Sequence, residues 1–530
     1  MKLFRPILSI HFVTAICALY FVCVFNIRSF QILFQYQNTS YFSNWLFIGN
    51  FSLSLFLLLW AIFSLLCAWP YWFRPFTSII ILISSLVAYG GLRYQAVFDH
   101  SMIDNLLNTN PVETSMYINF SSISWFLLTG VLPVVFLWMI RISYGSIKTF
   151  FLKKILIIIA SLSIAGGLIY SQYIDYAAFG RNNRVVRQYL VPSYWMSSSF
   201  KYIQKTLHPK PPFKVLGEDM HRQSNDKPRL FILVIGETAR AQNYPFYGYT
   251  RNTTPFTEDL PLWRLAGTSC GTSTAQSVPC MLSSQKHKNF ERKEALNQSN
   301  ILDILQKTGV SILWLDNDSG CQGTCDRMTN VQNFPNKTSS PLCHDGSCYD
   351  EILVKELSHY LDTTPIDKDT LIVLHLMGSH GPTYYKRYPE SEAFFQPTCA
   401  QSDIENCTHE ALVNTYDNTI RYTDKLLSEV ISMLKKQTNT KATLFYLSDH
   451  GESLGENGLY LHGTPYAFAP KEQTTIPMMI WSDNPKLLFD CQKNTTPYGQ
   501  DNIFSTLLGA FSVQGSLYQK KDDMLANCKI

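Results

Sequence analysis

The sequence predicts two architectures in one chain: a five-helix transmembrane domain over residues 1–173 and, over 229–530, an α/β domain with a mainly parallel central sheet. Three observations carry this. Of the 530 residues 46% are apolar and mean hydropathy is near zero, yet the runs long enough to span a bilayer all lie before residue 175. Beyond residue 229, short apolar runs alternate with helical segments. Ten of the thirteen cysteines lie beyond residue 250, mostly in close pairs, the pattern of a domain folded in an oxidising compartment.

In chain order, residues 7–25, 45–67, 78–97, 123–140 and 151–170 are the apolar runs. Lys2, Arg5, Arg74, Arg141, Lys148, Lys153 and Lys154 fall in loops on one side, whereas the other side carries Arg28 with Asp99, Asp104 and Glu113. The excess of basic residues places the N-terminus in the cytoplasm, and five crossings carry everything after residue 175 to the outside. The first run is long and no small-residue cleavage site follows it, so it reads as an anchor and not as a removed signal.

Residues 174–228 form the junction. "RNNRVVRQYL" and "YWMSSSFKYIQKTL" mix cations with aromatics, as a helix at the headgroup layer requires, although an ordinary amphipathic surface helix has the same composition. The Pro- and charge-rich stretch 208–228 then reads as a linker.

Five strands follow, at 229–236, 311–316, 370–376, 442–448 and 476–482. Chemistry-bearing residues come directly after four of them: "GETAR", "NDSG", "MGSHGP" and "DHGESLGENGLYLHG". Open α/β sheets bind ligands at the carboxyl ends of their strands, so these loops should converge. Glu237, Asp449 and His450 are metal-ligand types, with His380 and His462 on neighbouring loops; oxygen-rich ligation with one imidazole suits zinc, with manganese the alternative.

One loop is of another kind. "SCGTSTAQSVPC" (269–280) sets four hydroxyl residues, Thr272, Ser273, Thr274 and Ser277, between two cysteines. A hydroxyl is a weak nucleophile at neutral pH unless a dication lowers its pKa, and a short disulfide would hold it in place. The spacing leaves disulfide connectivity open, adjacent pairing being the simplest expectation; a four-cysteine zinc site at Cys321, Cys325, Cys343 and Cys348 is the rival.

Four blocks, "GETARAQNYPFYGY", "SCGTSTAQSVPCML", "LHLMGSHGPTYYKRYP" and "SDHGESLGENGLYLHGTPYAFAPKEQ", together resemble the phosphoethanolamine transferases that modify lipid A, a family that includes the mobile colistin-resistance enzymes. The resemblance runs through essentially the whole chain. It implies an alkaline-phosphatase/sulfatase-like α/β/α domain on the periplasmic side of the bacterial inner membrane. It also implies phosphatidylethanolamine as donor, a lipid A phosphate as acceptor, and a phosphoethanolamine-threonine intermediate. By the same match Thr274 is the nucleophile and joins Glu237, Asp449 and His450 around one zinc. His380 and His462 bind the transferred group or a second zinc, Ser319 contacts substrate, and Asn105, Thr109 and Glu113 bind the donor. The last three are spaced to share a helical face, but Pro111 intervenes and the residue before a proline disfavours helix.

The rivals are a sulfatase or glycerophosphate polymerase of the same superfamily, a transferase acting on the lipopolysaccharide core or another glycan, and a non-enzymatic metal sensor or receptor. "GTSTAQSVP" lacks the arginine of the sulfatase nucleophile pattern, and a sensor has no need of a hydroxyl among its ligands. A net charge of +4 without a recognisable module argues against a nucleic-acid partner, and a monomer is expected.

Overall fold

A computed structural model describes residues 7–526, apart from 37–41, 67–69, 109–116, 183, 208–211, 224–225, 335–339, 345–346, 403 and 493–496. The chain divides into two compact units. The first comprises Met1–Asp104 and Ile118–Leu207, the second Asn105–Tyr117 and His208–Ile530.

In the first unit, Trp45–Leu66, Trp72–Arg93, Phe120–Met139 and Ile147–Ser171 are helices long and apolar enough to cross a membrane. The first expected span departs from a straight helix. Ile10–Phe25 continues into Ile27–Gln35 across a 56° bend, so the described residues hold five candidate spans if this bent pair counts as one. Asn26 explains the break: its buried amide donates to Phe21 O at 3.0 Å and Val191 O at 2.9 Å, and accepts from Val191 N at 3.0 Å. A side chain that bonds the backbone of another segment interrupts the ladder of its own helix. The aromatic and basic segment after the last span folds as helices Tyr173–Asn182 and Ser193–Leu207 joined by a 3₁₀ stretch, Arg184–Tyr189.

The second unit is built on an eight-stranded sheet. In chain order its strands are β1 (Arg229–Gly236), β2 (Leu262–Thr268), β3 (Ser311–Asp316), β4 (Val331–Asn333), β5 (Thr370–His375), β6 (Lys441–Ser448), β7 (Thr475–Ser482) and β8 (Tyr498–Gly499). Their order across the sheet is β8-β2-β7-β6-β1-β5-β3-β4. The five apolar runs are strands, and β6, β1, β5, β3 and β4 pair in parallel. Sequence reading overlooked β2, β4 and β8, and β7 runs antiparallel to both neighbours. Two reversals restore direction, so β2 points the same way as β6 and its carboxyl end opens on the same edge. The side chains of β1, β5 and β6 are almost wholly buried, as a sheet covered on both faces requires.

Disulfides join Cys270 to Cys280, Cys321 to Cys325, Cys343 to Cys348 and Cys399 to Cys407. Adjacent pairing therefore holds for these eight, and the four-cysteine zinc alternative is excluded because its thiols are consumed. Cys491 is also disulfide-bonded, whereas Cys528 lies outside the described residues.

Candidate active site

β1, β2, β3, β5 and β6 deliver their following loops to one edge. Glu237 comes one residue after β1 and Asp449 and His450 directly after β6, and all three are fully buried. Thr274 opens the helix Thr274–Met281 beyond β2, where the partial positive charge of the helix start favours anions. Its hydroxyl Oγ1 donates to Glu237 Oε2 at 2.9 Å.

Three ligand atoms converge beside that bond without hydrogen-bond partners. They are Glu237 Oε1, Asp449 Oδ2 and His450 Nε2, with the imidazole nitrogen 3.4 and 3.3 Å from the two oxygens. The opposite atom of each group is occupied. Asp449 Oδ1 accepts from Thr238 N at 3.1 Å and His450 N at 2.6 Å, and His450 Nδ1 meets Gly451 O at 3.0 Å. That last contact places the ring proton on Nδ1, so the Nε2 lone pair faces the carboxylates. Orphaned buried acceptors are costly, and this donor set suits a dication.

Electrostatics agree. Burial, then the charges of Asp449 and Asp318, hold Glu237 well above the usual carboxylate range. Burial also acts to raise Asp449, but His450 and the hydrogen bonds it accepts bring it below its ordinary value. Burial pushes His450 down to about 4.

The backbone is strained to reach this geometry. Thr238, next to Glu237, sits at φ 53°, a region costly for a β-branched residue. Tyr416 clamps it: the phenol donates to Thr238 O at 2.7 Å and accepts from Arg240 N at 2.9 Å. Gly378, at φ +51°, passes so close that a Cβ would lie 2.7 Å from Glu237 O.

The nucleophile loop is pinned from several directions besides its disulfide. Cys270 N donates to Gln500 Oε1 at 2.7 Å, and Gln500 Nε2 donates to the carbonyls of Ser448 and Asp449 at 2.9 and 2.6 Å. Thr272 Oγ1 donates to Thr464 O at 2.7 Å, tying the loop to the segment that carries His462.

His380 and His462 arrive at the same place, their ring centroids 5.5 Å apart, and each has a nitrogen within 4.8 Å of a Glu237 oxygen. His462 Nδ1 lies 2.9 Å from Glu452 Oε2, and Glu452 Oε1 accepts from Tyr384 OH at 2.9 Å. Ser319 Oγ donates to Asp318 Oδ2 at 2.8 Å and borders a cavity of about 640 Å³ shared with Arg292 and Gln322. Asn105 Oδ1 accepts from Ser273 Oγ at 3.4 Å within the second unit. Thr109 and Glu113 lie outside the described residues.

Sequence reading missed Glu452, Gln500, Asp318 and His375. His375 is the polar interruption in the apolar strand "TLIVLH", and that was its signal. Its burial acts against charging, but Asp316 first, then Asp318 and Asp449, lift it to about 9.

Comparison with known proteins agrees with the geometry. The family model for phosphoethanolamine transferase EptA/EptB matches residues 55–207, and the sulfatase model matches 229–513. Phosphoethanolamine transferase EptA of Salmonella typhimurium is 39% identical over 474 residues, covering 86% of each chain. This chain belongs to the phosphoethanolamine transferase family. Another member, phosphatidylethanolamine transferase Mcr-1 of Escherichia coli, is 34% identical over 493 residues and 88% of each chain. The integral membrane lipooligosaccharide phosphoethanolamine transferase A of Neisseria meningitidis superposes with a TM-score of 0.95 at 34% identity, over 99% of this chain and 100% of that one. As a phosphoethanolamine transferase family member the chain is an enzyme, and it joins a membrane-type helical unit to a sulfatase-like domain.

Proposed function

We propose that this enzyme moves phosphoethanolamine from phosphatidylethanolamine to a lipid A phosphate through a covalent phosphoethanolamine-threonine intermediate on Thr274. The observation that carries the reading is the Thr274 hydroxyl bonded to Glu237 beside three orphaned, inward-facing ligand atoms. Glu237, Asp449 and His450, with Thr274, have the donor chemistry to hold zinc. Bound there, zinc lowers the pKa of a hydroxyl and offsets negative charge on a phosphoryl group.

The chain's own residues supply the rest. Thr274 Oγ1 attacks phosphorus and loses its proton along the bond that points to Glu237 Oε2, while the phosphorus–oxygen bond to diacylglycerol breaks. His462, oriented by Glu452, gives a proton to that departing oxygen and later takes one from the acceptor phosphate, whose oxygen bonds phosphorus as the bond to Thr274 Oγ1 breaks and Oγ1 recovers its proton from Glu237. His380 and Ser319 bind the phosphoethanolamine group, and Asn105, Thr109 and Glu113 receive the donor headgroup. In the cell, residues 1–173 anchor the enzyme in the inner membrane, 174–228 lie at the headgroup layer, and 229–530 work in the periplasm. The product is a less anionic surface, which weakens the attraction of polymyxin-like cationic peptides.

Mass spectrometry of lipid A from a Gram-negative host tests this, with a Thr274→Ala control at equal expression. A phosphoethanolamine increment that vanishes in the control is the expected result. Unmodified lipid A with continued release of diacylglycerol would redirect the acceptor to another glycan. Neither change, in a folded chain loaded with metal, would overturn the reading.

A further inference from the structure

Glu237 belongs to a second buried constellation that does not include His450. Ligand atoms of Glu237, Asp318 and His375 all lie within 4.8 Å of one another, and all three residues are buried. None of the roles described above uses Asp318 or His375. His375 is wholly buried, its Nε2 has no hydrogen-bond partner, and that nitrogen is 3.8 Å from Asp318 Oδ2.

The opposite ring nitrogen says what Nε2 is prepared for. His375 Nδ1 is 2.9 Å from Asp316 Oδ2, which also accepts from Trp314 Nε1 at 2.8 Å. Asp316 Oδ1 accepts from the backbone N–H of Asp318 at 3.1 Å and of Gly320 at 3.0 Å. Four hydrogen bonds thus fix Asp316, and Asp316 accepts from Nδ1 and so fixes the imidazole with Nε2, the atom that would ligate once its proton is displaced, turned toward Asp318 and within reach of Glu237. A carboxylate behind a histidine that faces acidic groups is the support arrangement of a metal ligand.

Charge balance points the same way. Glu237, Asp449 and Asp318 are buried carboxylates within reach of one another's fields, a concentration of negative charge that favours a cation among them.

We propose that Glu237, Asp318 and His375 form a separate divalent-cation site, with Glu237 bridging it to the ion beside Thr274. This rests on the metal-bearing reading of Glu237 and adds a position distinct from the one that His380 and His462 flank. Two carboxylates and one imidazole suit zinc or manganese. The ion would give Glu237 a second anchor and reduce the negative charge that a phosphodiester meets on entering.

The test uses the full-length chain in detergent, loaded with Zn²⁺ alone or Mn²⁺ alone and freed of loose ions. Element-specific anomalous scattering from crystals should show an ion in contact with Glu237, Asp318 and His375, resolved from the one at Glu237, Asp449 and His450. Metal-to-protein ratios should fall by one ion in Asp318→Asn and in His375→Gln. Should His375→Gln fail to fold, Asp318→Asn decides, since it changes one partly screened oxygen and spares the strand. An unchanged ratio in folded Asp318→Asn, or no anomalous density at the proposed position at saturating metal, overturns the site. An ion at the Thr274 side alone leaves the proposed function standing, whereas no ion at either position removes both.

Discussion

Glu452 stands between two side chains that sequence separates by 78 residues: its Oε2 is 2.9 Å from His462 Nδ1 and its Oε1 accepts from Tyr384 OH at 2.9 Å. A buried carboxylate held at both oxygens fixes the ring that it faces. Glu452→Gln keeps the shape but removes the charge. Turnover should fall about 10–100-fold with little change in KM. A merely structural role would lower stability without this split between turnover and KM.

Thr274→Ala should abolish transfer while zinc content is retained. Thr274→Ser keeps a hydroxyl but loses the methyl group that limits its rotamers, and should retain partial activity. Metal analysis beside a transfer assay on both variants separates loss of the nucleophile from loss of the site.

The Cys270–Cys280 bridge closes a loop with a separation of 10 residues. Replacing both cysteines with alanine should cost about 2–4 kcal/mol. Activity should fall further than stability at temperatures where the variant remains folded, because Gln500 and Thr464 then hold the loop without the covalent tie. Thermal unfolding of the full-length chain, run beside activity at a low temperature, checks both parts.

Asp424 offers a pH signature remote from the metal ligands. Burial raises its carboxyl to about 6, despite hydrogen bonds from Thr257 and the backbone of Phe256. Because the folded pKa lies above the unfolded one, the folded state takes up the proton first. Stability should therefore decline as pH rises from about 4 to 6, by up to about 3 kcal/mol at full burial. Asp424→Asn should flatten that slope in denaturant titrations across the same window.

Thr238 should answer to relief of strain. Its φ of 53° suits glycine, and its buried Oγ1 has no partner. Thr238→Gly should match or exceed wild-type stability, by up to about 1 kcal/mol. A melting temperature well below wild type would show that its methyl packing outweighs the strain.

Much of this arrangement was legible in the sequence for a simple reason. Near-continuous apolar strands such as "RLFILVIG" announce a buried sheet, and the residue after each is where ligands gather. β2 was not legible, because "LWRLAGT" carries an arginine and a glycine and follows neither strand nor helix periodicity. Pairing to β7 and β8 makes it a strand, a property of the assembled sheet and not of the segment. The bend at Asn26 was hidden likewise, since its cause is the carbonyl and N–H of Val191, 165 residues away. Glu237, Asp449 and His450 lie close to strands that sequence marks clearly. The supporting Glu452, Gln500 and Asp316 gain their meaning from partners that only folding brings near.

Gln500 shows what such a support means for how the enzyme works. One uncharged amide spans from the Cys270 loop to the end of β6, and so gauges the separation between the attacking oxygen and the groups it must work beside. An amide carries no charge to be titrated or screened by salt. The alignment is therefore set during folding and is already present when a lipid arrives, so the entropy of lining up the reacting groups is spent before the encounter. Surrounding loops are free to diverge toward new acceptors while that gauge keeps the chemistry in register.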